Sequence, residues 1–179
     1  MTTRKMVHSA ILLAILSLSA YISIPLPWGV PITAQTLVVN LIALSQKKEN
    51  SLIIIALYLL FGAIGLPIFS GGKAGLGTLL GPTGGFLLSY LPAVFLMGWM
   101  LEKNENQPKI IHSFLIAVGV GMPIIYGFGL VWLKFFAALT WKNAFIAAVL
   151  PFIPGDIAKA GIAAVLAQRL HAYLNIHEA

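Results

Sequence analysis

The sequence predicts an all-α protein that crosses a lipid bilayer several times. Two observations support this fold class: 59% of the 179 residues are hydrophobic while only 9% are charged, and the charges fall mostly in the gaps between long apolar segments. Such a composition is typical of integral membrane proteins. The chain has no cysteine, which excludes thiolate catalysis and thiolate metal sites. We expect residues 1–179 to form a single membrane domain.

Six apolar segments predict six transmembrane helices. The first covers residues 6–26 and runs into prolines instead of a small-residue cleavage site, so we interpret it as a retained helix and not as a signal peptide. The second, residues 34–44, is short for a hydrocarbon core about 30 Å thick. The remaining segments cover residues 51–69, 86–101, 110–132 and 143–173, and the last is interrupted at residues 151–155.

The distribution of lysine and arginine predicts that both termini lie on the cytoplasmic side. With six crossings and the amino terminus inside, the inner side collects Arg4, Lys5, Lys47, Lys48, Lys103, Lys109 and Arg169. The outer side holds fewer cations, namely Lys73, Lys134 and Lys142. This asymmetry follows the positive-inside rule. The net charge of +6 is therefore explained by orientation in the membrane and not by binding to nucleic acid.

A glycine-rich stretch, residues 67–85, separates the third and fourth segments and contains seven glycines and two prolines. Glycine lets backbone amides approach a ligand closely. The stretch also carries apolar residues such as Ile68, Phe69 and Leu76, which favour a folded structure over a disordered one. Since the predicted topology places it on the outer face, we interpret it as a lid over a pocket that opens outward.

The sixth segment contains the two charges on which the functional interpretation depends. Residues 151–155 break the helical pattern, and we expect a new helix to begin with Asp156 as its cap. Lys159 lies ten residues before Arg169, about 15 Å along a helix and therefore near the middle of the bilayer. Charges at that depth face the protein interior and mark function. The alternative is a neutral Asp156–Lys159 pair that only staples the helix.

The rest of the sequence lacks catalytic and energy-supplying motifs. The segment 71–74 does not have the spacing, or the Ser/Thr after the lysine, of a phosphate-binding loop. The histidines are far apart and lack metal-site spacing; they are His8, His112, His171 and His177. One buried acid without a buried histidine argues against an enzyme. A carboxylate, a lysine and aromatic residues favour the binding of a ligand that has N–H donors, an acid and an apolar middle.

Ala10 and Ala14 form a small-xxx-small pair in the first segment. In lipid, such a face lets two helices approach closely. The neighbouring helix could belong to this chain or to a partner protein. The sequence alone leaves both interpretations open.

Five groups of residues occur in order between the second and sixth segments. They are Pro31-Ile32-Thr33-Ala34-Gln35-Thr36, Tyr58 with Gly62, Gly65, Pro67 and Phe69, Gly81-Pro82-Thr83-Gly84-Gly85, Tyr126 with Gly129, Trp132 and Leu133, and residues 150–156 with Lys159. Together they resemble the biotin-specific S components, the BioY family, of energy-coupling-factor (ECF) vitamin transporters. Two positions depart from the family pattern: Phe86 replaces a common tyrosine, and Ala43 replaces a common glycine.

The resemblance implies that the protein captures biotin at the cell membrane of a prokaryote, without enzymatic activity and without a cofactor. Its implied partners are a transmembrane coupling protein (EcfT) and two ABC-type ATPases, and the implied contact with EcfT is through Ala10 and Ala14. Asp156 would accept a ureido N–H, and Lys159 would donate to the ureido carbonyl or to the valerate carboxylate. Further implied binding residues are Gln35, Tyr90, Tyr126, Trp132, Phe69, Gly81 and Thr83.

Two other functions remain open at this point. One is an S component for thiamine or riboflavin. Thiamine is cationic and favours acidic or aromatic-cage lining, while riboflavin needs a wider aromatic slot, so a single acid paired with a lysine suits neither well. The other is a stand-alone secondary carrier in which Asp156 carries a proton.

Overall fold

The described part of the chain folds into nine α-helices. The structure is a computed structural model that describes residues 3–27, 29–103 and 109–176, with side chains for residues 6–27, 29–103 and 109–171. The helices are α1 (Thr3–Ser19), α2 (Gln35–Ser45), α3 (Lys48–Ala63), α4 (Leu76–Leu79), α5 (Gly84–Glu102), α6 (Ile110–Ile116), α7 (Met122–Phe136), α8 (Trp141–Ala148) and α9 (Ile153–Ile176). His177 and the side chains of Arg4 and Lys5 lie outside these residues.

Among the described residues, two helical stretches are long and apolar enough to cross a bilayer. They are α5, with 19 residues, and the continuous stretch Ile110–Phe136, with 27 residues. The pair α8 and α9, bent by 43°, provides a third if it is counted as one span, and α1 and α2 contribute shorter apolar helices. The predicted class, a helical membrane protein, is confirmed, whereas six complete crossings stay a prediction.

A π-helical turn, Ala117–Gly121, connects α6 to α7. Pro123 follows it at the start of α7. Proline lacks the N–H that would bond to the residue four positions earlier, and its ring crowds that carbonyl group. The wider π turn gives the proline ring and the carbonyl group room, so the helix continues through Pro123.

The last helix begins earlier than the sequence predicts. It starts at Ile153, and Asp156 lies inside its first turn. Pro154 is tolerated there because the first turn of a helix does not use the missing N–H. The prediction that Asp156 caps the helix is therefore wrong, and its carboxylate is available for other side chains.

The short helix α2 lies inside the helical bundle. It contacts α1, α5 and α9, and Val39, Ile42 and Ala43 on it are completely buried. A helix surrounded by protein does not have to match the thickness of the bilayer, which explains why its apolar segment is so short. This central position brings the first turn of α2 close to α9.

A short β-hairpin lies in the connection from α1 to α2. Its strands, β1 (Ser23–Ile24) and β2 (Ile32–Thr33), pair in antiparallel fashion with Ser23 opposite Thr33. The N–H of Ala34 donates to the carbonyl of Ile22 over 3.2 Å. These bonds hold β2, and with it the start of α2, in a defined position.

The glycine-rich segment, residues 67–83, is folded. It contains a 3₁₀ turn, Ser70–Gly72, and α4, while Gly71 and Gly75 have φ angles of +67° and +83° that favour glycine. The segment is joined to the end of α1, since the N–H of Gly71 donates to the carbonyl of Ala20 over 2.9 Å. The hydroxyls of Ser70 and Ser23 lie 3.2 Å apart.

Candidate binding site

A narrow cavity lies between the helices α2, α5, α7 and α9. The β-hairpin between α1 and α2 and the glycine-rich segment, residues 67–83, complete its wall. Its polar lining side chains are Thr33, Gln35, Thr36, Ser70, Thr83, Tyr90, Tyr126, Asp156 and Lys159. Its apolar lining residues are Val30, Pro31, Phe86, Leu87, Ile125 and Phe152. The space open to the centres of water molecules is about 40 Å³, so a larger molecule enters only if lining side chains shift.

The carboxylate of Asp156 is held by three side chains. Its Oδ1 accepts hydrogen bonds from Thr36 (2.8 Å) and from Lys159 (2.9 Å), and its Oδ2 accepts one from the hydroxyl of Tyr126 (2.8 Å). The side chain is only 5% exposed. A carboxylate offers roughly four acceptor positions, so Oδ2 keeps one for a further N–H or O–H donor.

The ammonium group of Lys159 is fully engaged by described residues. It donates to the carbonyl of Thr33 over 2.6 Å, to the hydroxyl of Thr36 over 3.2 Å, and to Asp156. Since an ammonium group has three donors, Lys159 can reach a ligand only by exchanging one of these partners. The pair is therefore part of a network that joins β2, α2, α7 and α9, and it does more than staple one helix.

Two more polar side chains in the cavity wall differ in how they are held. Gln35 donates through Nε2 to the hydroxyl of Tyr58 over 2.6 Å, and that hydroxyl donates to the carbonyl of Ile68 over 2.8 Å. Tyr90 is 4% exposed, and no hydrogen-bond partner of its hydroxyl occurs among the described residues. Because the residue lines the cavity, this hydroxyl is available to a ligand.

Aromatic side chains form the apolar part of the wall. The rings of Phe86 and Phe152 lie 6.2 Å apart between centroids. Phe86 can approach α7 because Gly129 has no side chain: a Cβ atom at that position would lie 2.2 Å from the Phe86 ring. Because Gly129 has no side chain, the Phe86 ring can lie against α7. The position of this ring in turn affects the width of the cavity.

The structure brings six of the predicted binding residues into this cavity. They are Gln35, Thr83, Tyr90, Tyr126, Asp156 and Lys159. The other three, Phe69, Gly81 and Trp132, lie outside its lining. Phe69 is completely buried, with its ring edge-on to Tyr58 at 5.5 Å. Trp132 donates to the Gly81 carbonyl over 2.8 Å and faces an apolar groove beside α7. These three residues hold the glycine-rich segment in place.

Thr33 and Thr36 were not assigned a role from the sequence, although both contact Lys159. A signal was present, since both lie in the first of the five groups of residues and are three positions apart across the start of a helix. Phe152 and Ser70 also line the cavity. Their side chains carry no chemistry that singles them out before the fold is known.

Ala10 and Ala14 lie on the exposed face of α1. The opposite face is buried through Leu12 and Leu16, which are 5% and 0% exposed. The interpretation that the two alanines pack against a helix of this chain is therefore wrong. The face remains open to lipid or to another protein.

The described residues offer no metal site. No group of three or more histidines and acids lies close enough together among them to hold an ion. The ring of His171 lies 3.0 Å from the carbonyl oxygen of Leu44, which gives this histidine a structural contact. The described side chains of the site supply one carboxylate, one ammonium group, one amide, hydroxyls and aromatic rings.

The fold and the cavity define a helical membrane protein with a partly buried charged pair in a narrow cavity. The BioY family model matches residues 1–176, and the chain belongs to the BioY family. It is 40% identical over 147 residues to "Biotin transporter BioY2" of Lactococcus lactis, covering 82% of this chain and 79% of that protein. It is 36% identical over 174 residues to "Biotin transporter BioY" of Rhizobium etli, covering 93% and 92%.

A solved structure shares the same fold. The crystal structure of the S-component for biotin from an ECF-type ABC transporter superposes with a TM-score of 0.88 at 27% sequence identity, covering 96% of this chain and 95% of that one. The resemblance recognised from the five groups of residues is thereby confirmed.

Proposed function

We propose that this protein is the biotin-capturing S component of an ECF-type ABC transporter and has no enzymatic activity of its own. The observation that carries the proposal is the Asp156–Lys159 pair in the wall of a narrow cavity, in a chain that belongs to the BioY family. Biotin combines a ureido ring with two N–H donors and one carbonyl, an apolar thioether ring and a carboxylate chain. Each part of this molecule has a counterpart in the site.

The ureido end of biotin fits the polar network. The free acceptor position on Oδ2 of Asp156 takes a ureido N–H, which is a hydrogen bond to a charged group and therefore strong. Lys159 donates to the ureido carbonyl after it releases the Thr36 hydroxyl, and the unpaired hydroxyl of Tyr90 supplies a further donor. Phe86 and Phe152 then pack against the thioether ring.

The remaining predicted residues support this arrangement. Gln35 and Thr83 add polar groups to the wall. Three predicted residues support the cavity wall from outside the lining, namely Phe69, Gly81 and Trp132. They hold the glycine-rich segment in place, and that segment contributes Ser70 and Thr83 to the cavity. We therefore assign these three residues to shaping the site and not to touching biotin.

Calorimetry on the purified chain tests the ligand directly. Biotin should bind with measurable heat, and thiamine and riboflavin should give none. Binding of thiamine or riboflavin without binding of biotin would overturn the assignment. The three ligands differ so strongly in charge and shape that the result distinguishes them.

Transport by reconstituted liposomes distinguishes an S component from a stand-alone carrier. The chain alone should bind biotin without accumulating it, and accumulation should require EcfT, two ABC-type ATPases and ATP. Uptake by the chain alone that an uncoupler abolishes would instead indicate a proton-coupled carrier. In that case Asp156 would be the proton site.

We infer that EcfT docks on the exposed face of α1 at Ala10 and Ala14, since small residues let two helices approach closely in lipid. Ala14→Trp should prevent copurification with EcfT and leave biotin binding intact. A tryptophan at Leu115, which is 58% exposed on α6, is the matched control and should leave both unchanged. Copurification of the Ala14→Trp variant with EcfT would contradict the inference.

We also infer that the protein lies in the plasma membrane of a prokaryote with both termini in the cytoplasm. The chain contains no cysteine, so single introduced cysteines report their own position. In whole cells, Lys73→Cys should react with an impermeant thiol reagent, and Lys103→Cys should react only after permeabilisation. The reverse pattern would invert the topology.

A further inference from the structure

A second cavity adjoins the binding site. It has a volume of about 330 Å³, and Pro31 and Ser70 line both cavities. Lys73 contributes the cation of this lining, and Ser23, Ser70 and Tyr21 contribute hydroxyls, of which that of Tyr21 donates to the carbonyl of Pro67. The two cavities are therefore neighbours at Ser70, and a molecule bound at Asp156 has the second cavity beside it.

We propose that Lys73, Ser23 and Ser70 form an anion subsite that binds the carboxylate of the ligand while its other end is held at Asp156. The proposal rests on the proposed function, because it states which end of biotin lies in which cavity. It also assigns a binding role to Lys73, which the cation count treats only as an outer-side charge.

The charges around Lys73 favour an anion. No carboxylate of the described residues lies within ion-pair distance of its ammonium group, since the described ion pairs involve Lys48 and Lys159 only. The side chain is exposed at the mouth. An exposed lysine without a described counterion is free to pair with an anionic ligand.

The two serines provide a further donor. Their hydroxyl oxygens are 3.2 Å apart, and either can be the donor to the other. Each hydroxyl has one proton, so their mutual hydrogen bond uses one proton and leaves the other for a ligand. A cation and a free O–H that line the same cavity suit a carboxylate.

Lys159 is the alternative partner for the ligand carboxylate, and its surroundings disfavour that role. In the proposed arrangement, the one donor that Lys159 frees from the Thr36 hydroxyl already goes to the ureido carbonyl, and its other two stay on Thr33 and Asp156. A second carboxylate placed there would also lie beside Asp156, which is 5% exposed. Like charges in one buried site oppose each other. The second cavity holds no acid among its lining residues.

The test compares biotin with its methyl ester, which lacks the negative charge. Wild-type protein should bind biotin more tightly than the ester. Lys73→Gln should weaken biotin binding about tenfold, the lower end of the range for losing a hydrogen bond to a charged group, and should change ester binding by less than about twofold. Lys142→Gln, another exposed lysine on the predicted outer side, should change neither.

The possible outcomes separate this proposal from the proposed function. Wild-type protein that binds biotin, combined with a Lys73→Gln variant that keeps full affinity for biotin, would overturn the anion subsite alone. An equal loss for biotin and for the ester would overturn it too, because the lysine would then act on the structure and not on the charge. Failure of the wild-type protein to bind biotin would remove both proposals.

Discussion

Thr36 on α2 donates a hydrogen bond to Asp156 on α9 over 2.8 Å, although 120 positions separate them in the sequence. The same hydroxyl accepts a hydrogen bond from Lys159. An ammonium group has no acceptor, so the hydroxyl takes the Lys159 proton on a lone pair and gives its own single proton to Asp156. Thr36 is therefore the one described side chain that bonds to both members of the charged pair, while Tyr126 and Thr33 each hold one of them.

Replacement of Asp156 should abolish tight binding. Asp156→Asn removes the charged acceptor and leaves Lys159, whose side chain is 17% exposed, without its counterion. We expect at least about a hundredfold loss of affinity for biotin, since a charged partner left unpaired costs several kcal/mol. Calorimetry measures the loss, and wild-type affinity would support a purely structural pair.

A double replacement controls for misfolding in that experiment. In Asp156→Leu combined with Lys159→Met, no unpaired charge remains, and apolar replacement of a buried ion pair is often neutral for stability. The double variant should regain thermal stability relative to Asp156→Asn and should still fail to bind biotin. Recovery of binding would contradict the assigned role.

Replacement of Thr36 tests its positioning role. Thr36→Val keeps the shape but removes the hydroxyl, so Asp156 loses a donor and Lys159 loses an acceptor. Biotin affinity should fall about tenfold, while Thr36→Ser, which keeps the hydroxyl, should stay within about threefold of wild type. An equal loss in both variants would indicate that the methyl group matters and not the hydrogen bonds.

The two cavity tyrosines should respond differently to loss of their hydroxyls. Tyr126→Phe removes a hydrogen bond that exists within the protein, so it should lower both thermal stability and biotin affinity. Tyr90→Phe removes a hydroxyl without a described partner, so it should lower affinity severalfold and leave the stability of ligand-free protein unchanged. Unfolding in detergent with and without biotin separates the two effects. Unchanged affinity of Tyr90→Phe would exclude its contact with the ligand.

Two glycines on neighbouring helices predict opposite effects of a single methyl group. A Cβ atom at Gly85 would lie 2.2 Å from the Cβ of Trp132 and 2.8 Å from the Phe128 carbonyl oxygen, whereas nothing lies within 4 Å at Gly127. Gly85→Ala should therefore lower stability by about 1–3 kcal/mol through overpacking. Gly127→Ala should be neutral or slightly stabilising because alanine favours helix. Thermal unfolding in detergent measures both, and equal stability of the variants would contradict the close α5–α7 contact.

The class of fold and the central charged pair could be predicted from the sequence for physical reasons. A charge inside an apolar segment needs a polar environment, and this requirement points to Asp156 and Lys159 whatever the details of the fold. The same reasoning misplaced the start of α9, because a proline in the first turn of a helix has the same sequence signature as one that ends a helix. Asp156 was therefore interpreted as a cap.

The rest of the site depends on distant contacts that periodicity does not reveal. The short apolar segment of α2 predicts an incomplete crossing, but only the fold shows a buried helix whose first turn meets α9. Phe69 and Trp132 are aromatic residues in family motifs, yet their rings pack outside the cavity lining. An aromatic residue that lines a cavity and one that supports its wall have the same local sequence pattern.

The hydrogen bonds between Ala20 and Gly71 and between Ser23 and Ser70 have a kinetic consequence. They join the α1–α2 connection to the glycine-rich segment, and both of these line the cavity. A bound molecule that leaves past these segments requires several of these hydrogen bonds to break together. Such hydrogen bonds lower the dissociation rate of the ligand more than its association rate. Because Ala20 directly follows α1, these hydrogen bonds also connect the cavity-lining segments to that helix.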